Sequence, residues 1–195
     1  SVHRCSVSLD TPSLALRSLL QTTALKSGFR RGPSGSPLSI TGLTPTAQAF
    51  AASVFASEAP VILIVPADRD IERLAADGRF FLGALSGFSE SEANRRILPF
   101  PSYEVDPYRE IEPHLDVTAA RGRTLAALAQ RRARLVIASA AAVLPRLSPP
   151  GRMLEAIIDL RSSGTMSPTE LIDQLMQIGF SRTDPVDSHG QFGSR

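Results

Sequence analysis

Tryptophan is absent from this 195-residue chain, and cysteine occurs once, as Cys5. A single cysteine excludes an internal disulfide framework and any metal site built on paired cysteines, and it fits a reducing compartment. Lysine is equally scarce: Lys26 stands alone, and every other strong cation is an arginine. No run of about 18 apolar residues occurs, so no transmembrane helix is expected. The first residues lack the uninterrupted apolar core of a secretory signal, and the expectation is a cytoplasmic protein with no membrane partner. Charge is nearly balanced, with 21 basic against 19 acidic residues and a formal net charge of +2. Bulk electrostatics therefore does not demand a nucleic-acid partner. What remains is an ordinary globular composition, 43% hydrophobic and 21% charged, long enough for one domain and part of a second. The sequence opens on Ser1 and stops at Gly193-Ser194-Arg195 in mid-pattern, which reads as a fragment of a longer protein.

The stretch around which the rest is arranged is Ile40 to Phe50, ITGLTPTAQAF. A short lead-in, Leu38-Ser39-Ile40-Thr41, is expected as a strand, Gly42 opens a small-residue loop, and an alanine-rich helix follows. This is the outline of strand, phosphate loop and helix. A working loop reads G-x-x-x-x-G-K-[ST]: glycines let backbone N–H groups close on phosphates, the lysine neutralises them, and the hydroxyl holds Mg²⁺. Gly42 supplies the first glycine and Thr44 sits within the loop. Ala47 then stands in place of the second glycine, Gln48 in place of the lysine, and Ala49 in place of the hydroxyl residue. The outline survives and its charge chemistry does not. An ordinary strand, turn and helix that needs Gly42 only for the turn explains the same residues.

Taken in order, Ser13 can cap a helix through Leu14, Leu16, Leu19, Leu20 and Leu25, with Gly28 past its end. Arg30 to Pro37 reads as a linker. After the loop, Thr46–Ser57 has helical spacing, and Val61–Val65 is a continuous apolar run suited to a strand covered on both faces. Asp68 or Asp70 can cap a helix with Ile71, Leu74, Ala75, Phe81 and Leu82 inward, and Gly83–Asn94 reads as a loop. Ile97–Phe100 is a third strand, Pro101–Asp116 a surface loop rich in proline and acids, and Val117–Arg131 a helix with Leu125 and Leu128 inward. Leu135–Ala138 is a fourth strand, followed by a short helix capped by Ser139. This alternation predicts an α/β fold with a parallel sheet and flanking helices. Pro149-Pro150-Gly151 marks a boundary, after which a smaller α+β domain begins. Its expected parts are a strand at Glu155–Leu160, a helix from the Ser167 cap to Gly179, and a strand at Phe180–Val186. The resulting organisation is an N-terminal tail, helix and linker at residues 1–37, an α/β domain at 38–150, and an incomplete second domain at 151–195.

Other candidate sites are weaker. His114 and Asp116 close an acidic loop, but their spacing is not that of metal ligands, and a solvated loop explains it. Arg121, Arg123, Arg131, Arg132 and Arg134 could meet phosphates, yet no aromatics interleave with them and several sit where a helix end favours cations. Arg182 and Arg195 flank a segment containing His189 and Phe192, a pattern open to either a protein-binding anchor or plain surface arginines.

These residues together resemble a family. Gly42-Leu43-Thr44-Pro45-Thr46-Ala47-Gln48-Ala49-Phe50 aligns without gaps on the phosphate loop of the excision-repair subunit UvrB, G-V-T-G-S-G-K-T-F. The replacements match those in the N-terminal UvrB-like module of bacterial transcription-repair coupling factors (Mfd). Leu98-Pro99-Phe100-Pro101 through Pro113-His114-Leu115-Asp116 is similar to the segment F-P-x-x-E-x-x-P-Y…S-P-H-x-D. Phe180-Ser181-Arg182-Thr183-Asp184 resembles Y-x-R-x-D, and Gly190 to Arg195 resembles G-x-F-x-x-R-G without its last glycine.

The resemblance implies a P-loop NTPase-like sheet of the UvrB domain 1A kind with a degenerate loop. It implies no catalytic residue, cofactor or metal in this segment, although ATP and Mg²⁺ serve the family's motor elsewhere. UvrA is the implied partner, contacted through Arg182, Phe192 and Arg195, with RNA polymerase and DNA engaged by regions outside this chain. The alternative from another class is the N-terminal lobe of an active ATP-dependent DNA helicase. Loss of the lysine and hydroxyl at positions 48 and 49 argues against it.

Overall fold

Pro45 opens the first helix because its missing N–H is one that a helix start leaves unpaired anyway. That helix, α1 (Pro45–Glu58), carries Ala49, Ala52 and Ala56 on its buried face. The computed structural model describes residues 39–103, 113–158, 160 and 166–194. The expected helix at Ser13–Gly28 and the whole of the linker Arg30 to Pro37 lie outside them. The chain divides into two units, Ser1–Leu147 and Ser148–Arg195.

In the first unit, α1 is followed by β1 (Val61–Val65), a 3-10 turn (Asp68–Asp70), α2 (Ile71–Ser86) and α3 (Glu90–Arg96). Then come β2 (Ile97–Phe100), α4 (Leu115–Ala129), β3 (Leu135–Ser139) and α5 (Ala140–Val143). The strands form one parallel sheet in the order β1-β3-β2, with Val61 and Ile97 both level with Leu135. Strand β3 takes the centre and is buried along its whole length. One face of the sheet packs Leu135, Ile137 and Ile97 against α1 and α2 through Ala49, Ala52, Ile71, Leu74 and Leu82. On the other face, Leu98, Phe100, Val136 and Ala138 meet Leu125 and Ala127 of α4. The first unit is thus a mixed α/β structure with a three-stranded parallel sheet among the described residues.

Several expectations give way. Ser39–Thr41 form no strand: they are exposed and carry no ladder, so no described strand leads into the loop at Gly42. Gly83–Asn94 is mostly helical. Leu82 and Ala93 are buried on either side of the Gly87 turn, and Ser89 with Glu92 closes a capping box that starts α3. β1 is covered on one face only; Ile62 and Ile64 are 55% and 56% exposed, because α4 lies over β2 and β3 and no described residue covers β1 there. On α4 the inward positions are Arg121, Thr124 and Ala127, so Leu128 points out and Leu125 is half-buried.

The second unit holds α6 (Pro150–Glu155), α7 (Pro168–Gln177), β4 (Ser181–Arg182) and β5 (Gln191–Phe192). The strand expected at Glu155–Leu160 is not seen among the described residues. Pro150 instead starts a helical turn that Glu155 ends, and Ile157 and Ile158 are irregular. Helix α7 begins at Ser167 as expected and closes on Gly179, whose φ of +99° fits a glycine. Ser167 makes no side-chain cap bond. The strand expected at Phe180–Val186 shrinks to Ser181–Arg182, paired in parallel with β5.

Candidate functional site

At the start of α1, the polar side chains of the loop are turned to bonds within the protein. Gly42 takes a left-handed φ of +77° and turns the chain. The Thr44 hydroxyl caps the helix by accepting from the Ala47 N–H at 3.4 Å. Pro45 offers no N–H at all. The Gln48 side-chain amide, where a lysine would reach outward, folds back to donate to the Leu43 carbonyl at 3.2 Å. Ala49 is fully buried against the sheet, so its position could not present a hydroxyl to a metal ion. The Asp77 carboxylate of α2 accepts from the Thr46 hydroxyl at 3.1 Å and places negative charge beside the first turn. The geometry therefore gathers Gly42, Thr44, Ala47 and Gln48 into a helix cap closed on itself.

The carboxyl ends of the strands carry a second polar cluster. In open α/β sheets this is the edge that presents ligand-binding loops. Arg121 is 1% exposed, with its guanidinium carbon 4.1 Å from the Phe100 ring centre and 4.2 Å from that of Tyr103. It donates to the Pro101 carbonyl at 2.6 Å and, through both terminal nitrogens, to the Ala142 carbonyl at 3.4 Å. Its Nε has no hydrogen-bond partner among the described residues. Asp68 accepts from the Ser102 N–H at 2.8 Å and from the Ser102 hydroxyl. Burial pushes the Asp68 pKa up, but the Ser102 hydroxyl and amide, the Ser139 hydroxyl and the Arg121 charge together hold it below its ordinary value.

Sequence reading missed this cluster. Its signals are present, however: Arg121, Thr124 and Ala127 recur every three residues on one helix face, and two prolines end β2. The remaining arginines do not gather. Arg123, Arg131 and Arg132 are exposed, while Arg134 donates to the Ser57 carbonyl at 2.9 Å. His114 caps α4 by accepting from the Asp116 N–H, and its Nδ1 lies 3.4 Å from the Asp116 carboxylate, both side chains being exposed. Among the described residues, no three histidine, cysteine or acidic side chains group as metal ligands would.

In the second unit, the β4–β5 ladder sets Arg182 directly opposite Phe192. The Ser181 N–H donates to the Gly190 carbonyl at 2.8 Å and the Thr183 N–H to the Phe192 carbonyl at 3.0 Å. Arg182 is exposed and Phe192 half-buried, while Arg195 lies outside the described residues. Two of the three anchor candidates are thus neighbours on one ladder.

Comparison with known proteins gives one likeness. The chain is 25% identical over 195 residues to proteins named transcription-repair-coupling factor from Mycobacterium bovis and Mycobacterium tuberculosis. The match takes in 95% of this chain but 15% of each relative, so the chain spans about 15% of the length of the curated relatives it matches. No protein-family profile matches the chain. Among the described residues, no helix is long and apolar enough to cross a membrane.

Proposed function

We propose that this chain is an N-terminal portion of a transcription-repair coupling factor, a UvrB-like module that recruits UvrA in transcription-coupled excision repair without hydrolysing ATP. The observation that carries the ATP-inactive part is the closed cap at α1. Its loop has no cation, its Gln48 amide is spent on Leu43, and Asp77 stands where negative charge would repel a phosphate. The parallel sheet with flanking helices is what a worn P-loop NTPase-like domain would leave. The likeness to the mycobacterial coupling factors supports the repair assignment.

Recruitment, on this reading, is surface complementarity rather than catalysis. Arg182 and Phe192, held opposite each other by the β4–β5 ladder, form the core of the contact, and Arg195 extends it. The motor that uses ATP and Mg²⁺, and the contacts to RNA polymerase and DNA, belong to other parts of a cytoplasmic protein. Isothermal titration of the chain against UvrA tests the partner. Binding is expected, with Arg182→Ala weakening it by about tenfold or more; unchanged affinity removes Arg182 as an anchor. Titration with Mg·ATP is expected to give no heat, and measurable nucleotide binding would favour an active helicase lobe instead.

A further inference from the structure

We infer that Asp68, Arg121 and Thr124 form an internal clamp that fixes the direction in which the chain leaves β2, with Tyr103 as its end point. The need arises in the sequence. Pro99 and Pro101 carry no N–H, and the ladder to β3 ends at Phe100, so neither proline supplies a backbone donor that would hold the departing chain. Side chains from elsewhere take over, one residue after another. Thr124 donates its hydroxyl to the Pro99 carbonyl at 2.7 Å, and Arg121 stacks on the Phe100 ring and donates to the Pro101 carbonyl at 2.6 Å. Asp68 takes both the N–H and the hydroxyl of Ser102, and Arg121 stacks again on Tyr103. Five consecutive residues, 99 to 103, are each gripped by one of these three side chains.

The clamp is itself braced. The Ser139 hydroxyl, at the end of the central strand, helps to hold the Asp68 pKa down and accepts from the Ala142 N–H at 3.2 Å. Arg121 returns to the Ala142 carbonyl. The ends of all three strands are therefore tied through one polar network. Stability alone does not require this. A buried cation bears a desolvation cost, and an apolar side chain of similar volume is often as good or better in a core. A guanidinium is needed where a planar group must stack and bond carbonyls together, which a lysine cannot do. Positioning, rather than charge or bulk, is the role these contacts share.

The test uses the whole chain with Tyr108→Phe, which leaves Tyr103 as the single fluorophore because the sequence has no tryptophan and two tyrosines. In Asp68→Ala, a substitution outside the apolar core, exchange of the Ser102 amide should accelerate about tenfold or more while the Val136–Ala138 amides keep their wild-type rates. Arg121→Lys and Arg121→Met should both lower the fluorescence anisotropy of Tyr103. Unchanged Ser102 exchange in Asp68→Ala, or acceleration shared equally with β3, overturns the inference. Wild-type anisotropy in Arg121→Met would also overturn it, since Arg121 would then be filling space only. Should the Arg121 variants fail to fold, the Ser102 measurement in Asp68→Ala decides alone.

Discussion

Asp68 is a residue whose ionisation is tied to folding. Its carboxyl is held below the ordinary value of 3.8 because the hydrogen bonds from Ser102 and Ser139 outweigh the burial that opposes them. On unfolding it returns to the ordinary range, so as pH falls the unfolded chain takes up the proton first. The stabilisation is complete above the unfolded value and is lost as pH drops through the lower folded value. Denaturant midpoints at about pH 5 and about pH 3 should therefore differ less in Asp68→Asn than in the natural chain. Arg131 is a different kind of residue. It holds φ at +55°, a left-handed conformation that costs a side-chain-bearing residue energy. Replacing it by glycine, which adopts that conformation freely, should raise stability by about 0.5–1 kcal/mol and lift the melting temperature.

At the scale of elements, Arg131 shows why some structure was hidden in the sequence. The Arg131 N–H bonds to the Leu128 carbonyl and the Arg132 N–H to the Ala127 carbonyl, the paired bonds that close a helix through a left-handed residue. The same pair closes α7, where Gly179 and Phe180 donate to Met176 and Leu175. Both helix ends were placed from the sequence, but the left-handed residue was legible only where it is glycine and not where it is arginine. The central strand was legible from Leu135–Ala138 as an unbroken apolar run of strand length, although the same signal at Val61–Val65 belongs to a strand with one exposed face. The extension of α2 and the existence of α3 were not, because glycines and serines masked a helix whose burial depends on the sheet beneath it. The closed cap was readable in its residue types, whereas the Asp77 contact and the Arg121 cluster depend on which helices meet. Packing between α2 and the sheet relies on Gly78. A Cβ there would lie 2.9 Å from Leu135 Cδ2 and 3.4 Å from Ile97 Cγ2. Gly78→Val should therefore destabilise the chain by about 1–3 kcal/mol in a denaturant titration.

For the whole molecule, the two units differ in kind. The first has a core on both faces of its sheet. The second has no buried residue among those described, and Met176, Phe180 and Val186 remain 56%, 38% and 49% exposed. Among the described residues its apolar side chains form a surface without an interior. Strand β1 is the first unit's own unfinished margin. Among the described residues it is paired along one side, by β3, and it shows two isoleucines to solvent between Pro60 and Pro66. Such a strand templates sticking between copies when concentrated, because nothing charged interrupts it. A gatekeeper lysine in place of Ile64 should raise the concentration at which light scattering first appears while leaving the melting temperature within about 1–2 °C, since the replaced side chain is more than half in water already. Solubility of the isolated chain would then be governed by five residues at one margin rather than by its nearly neutral surface.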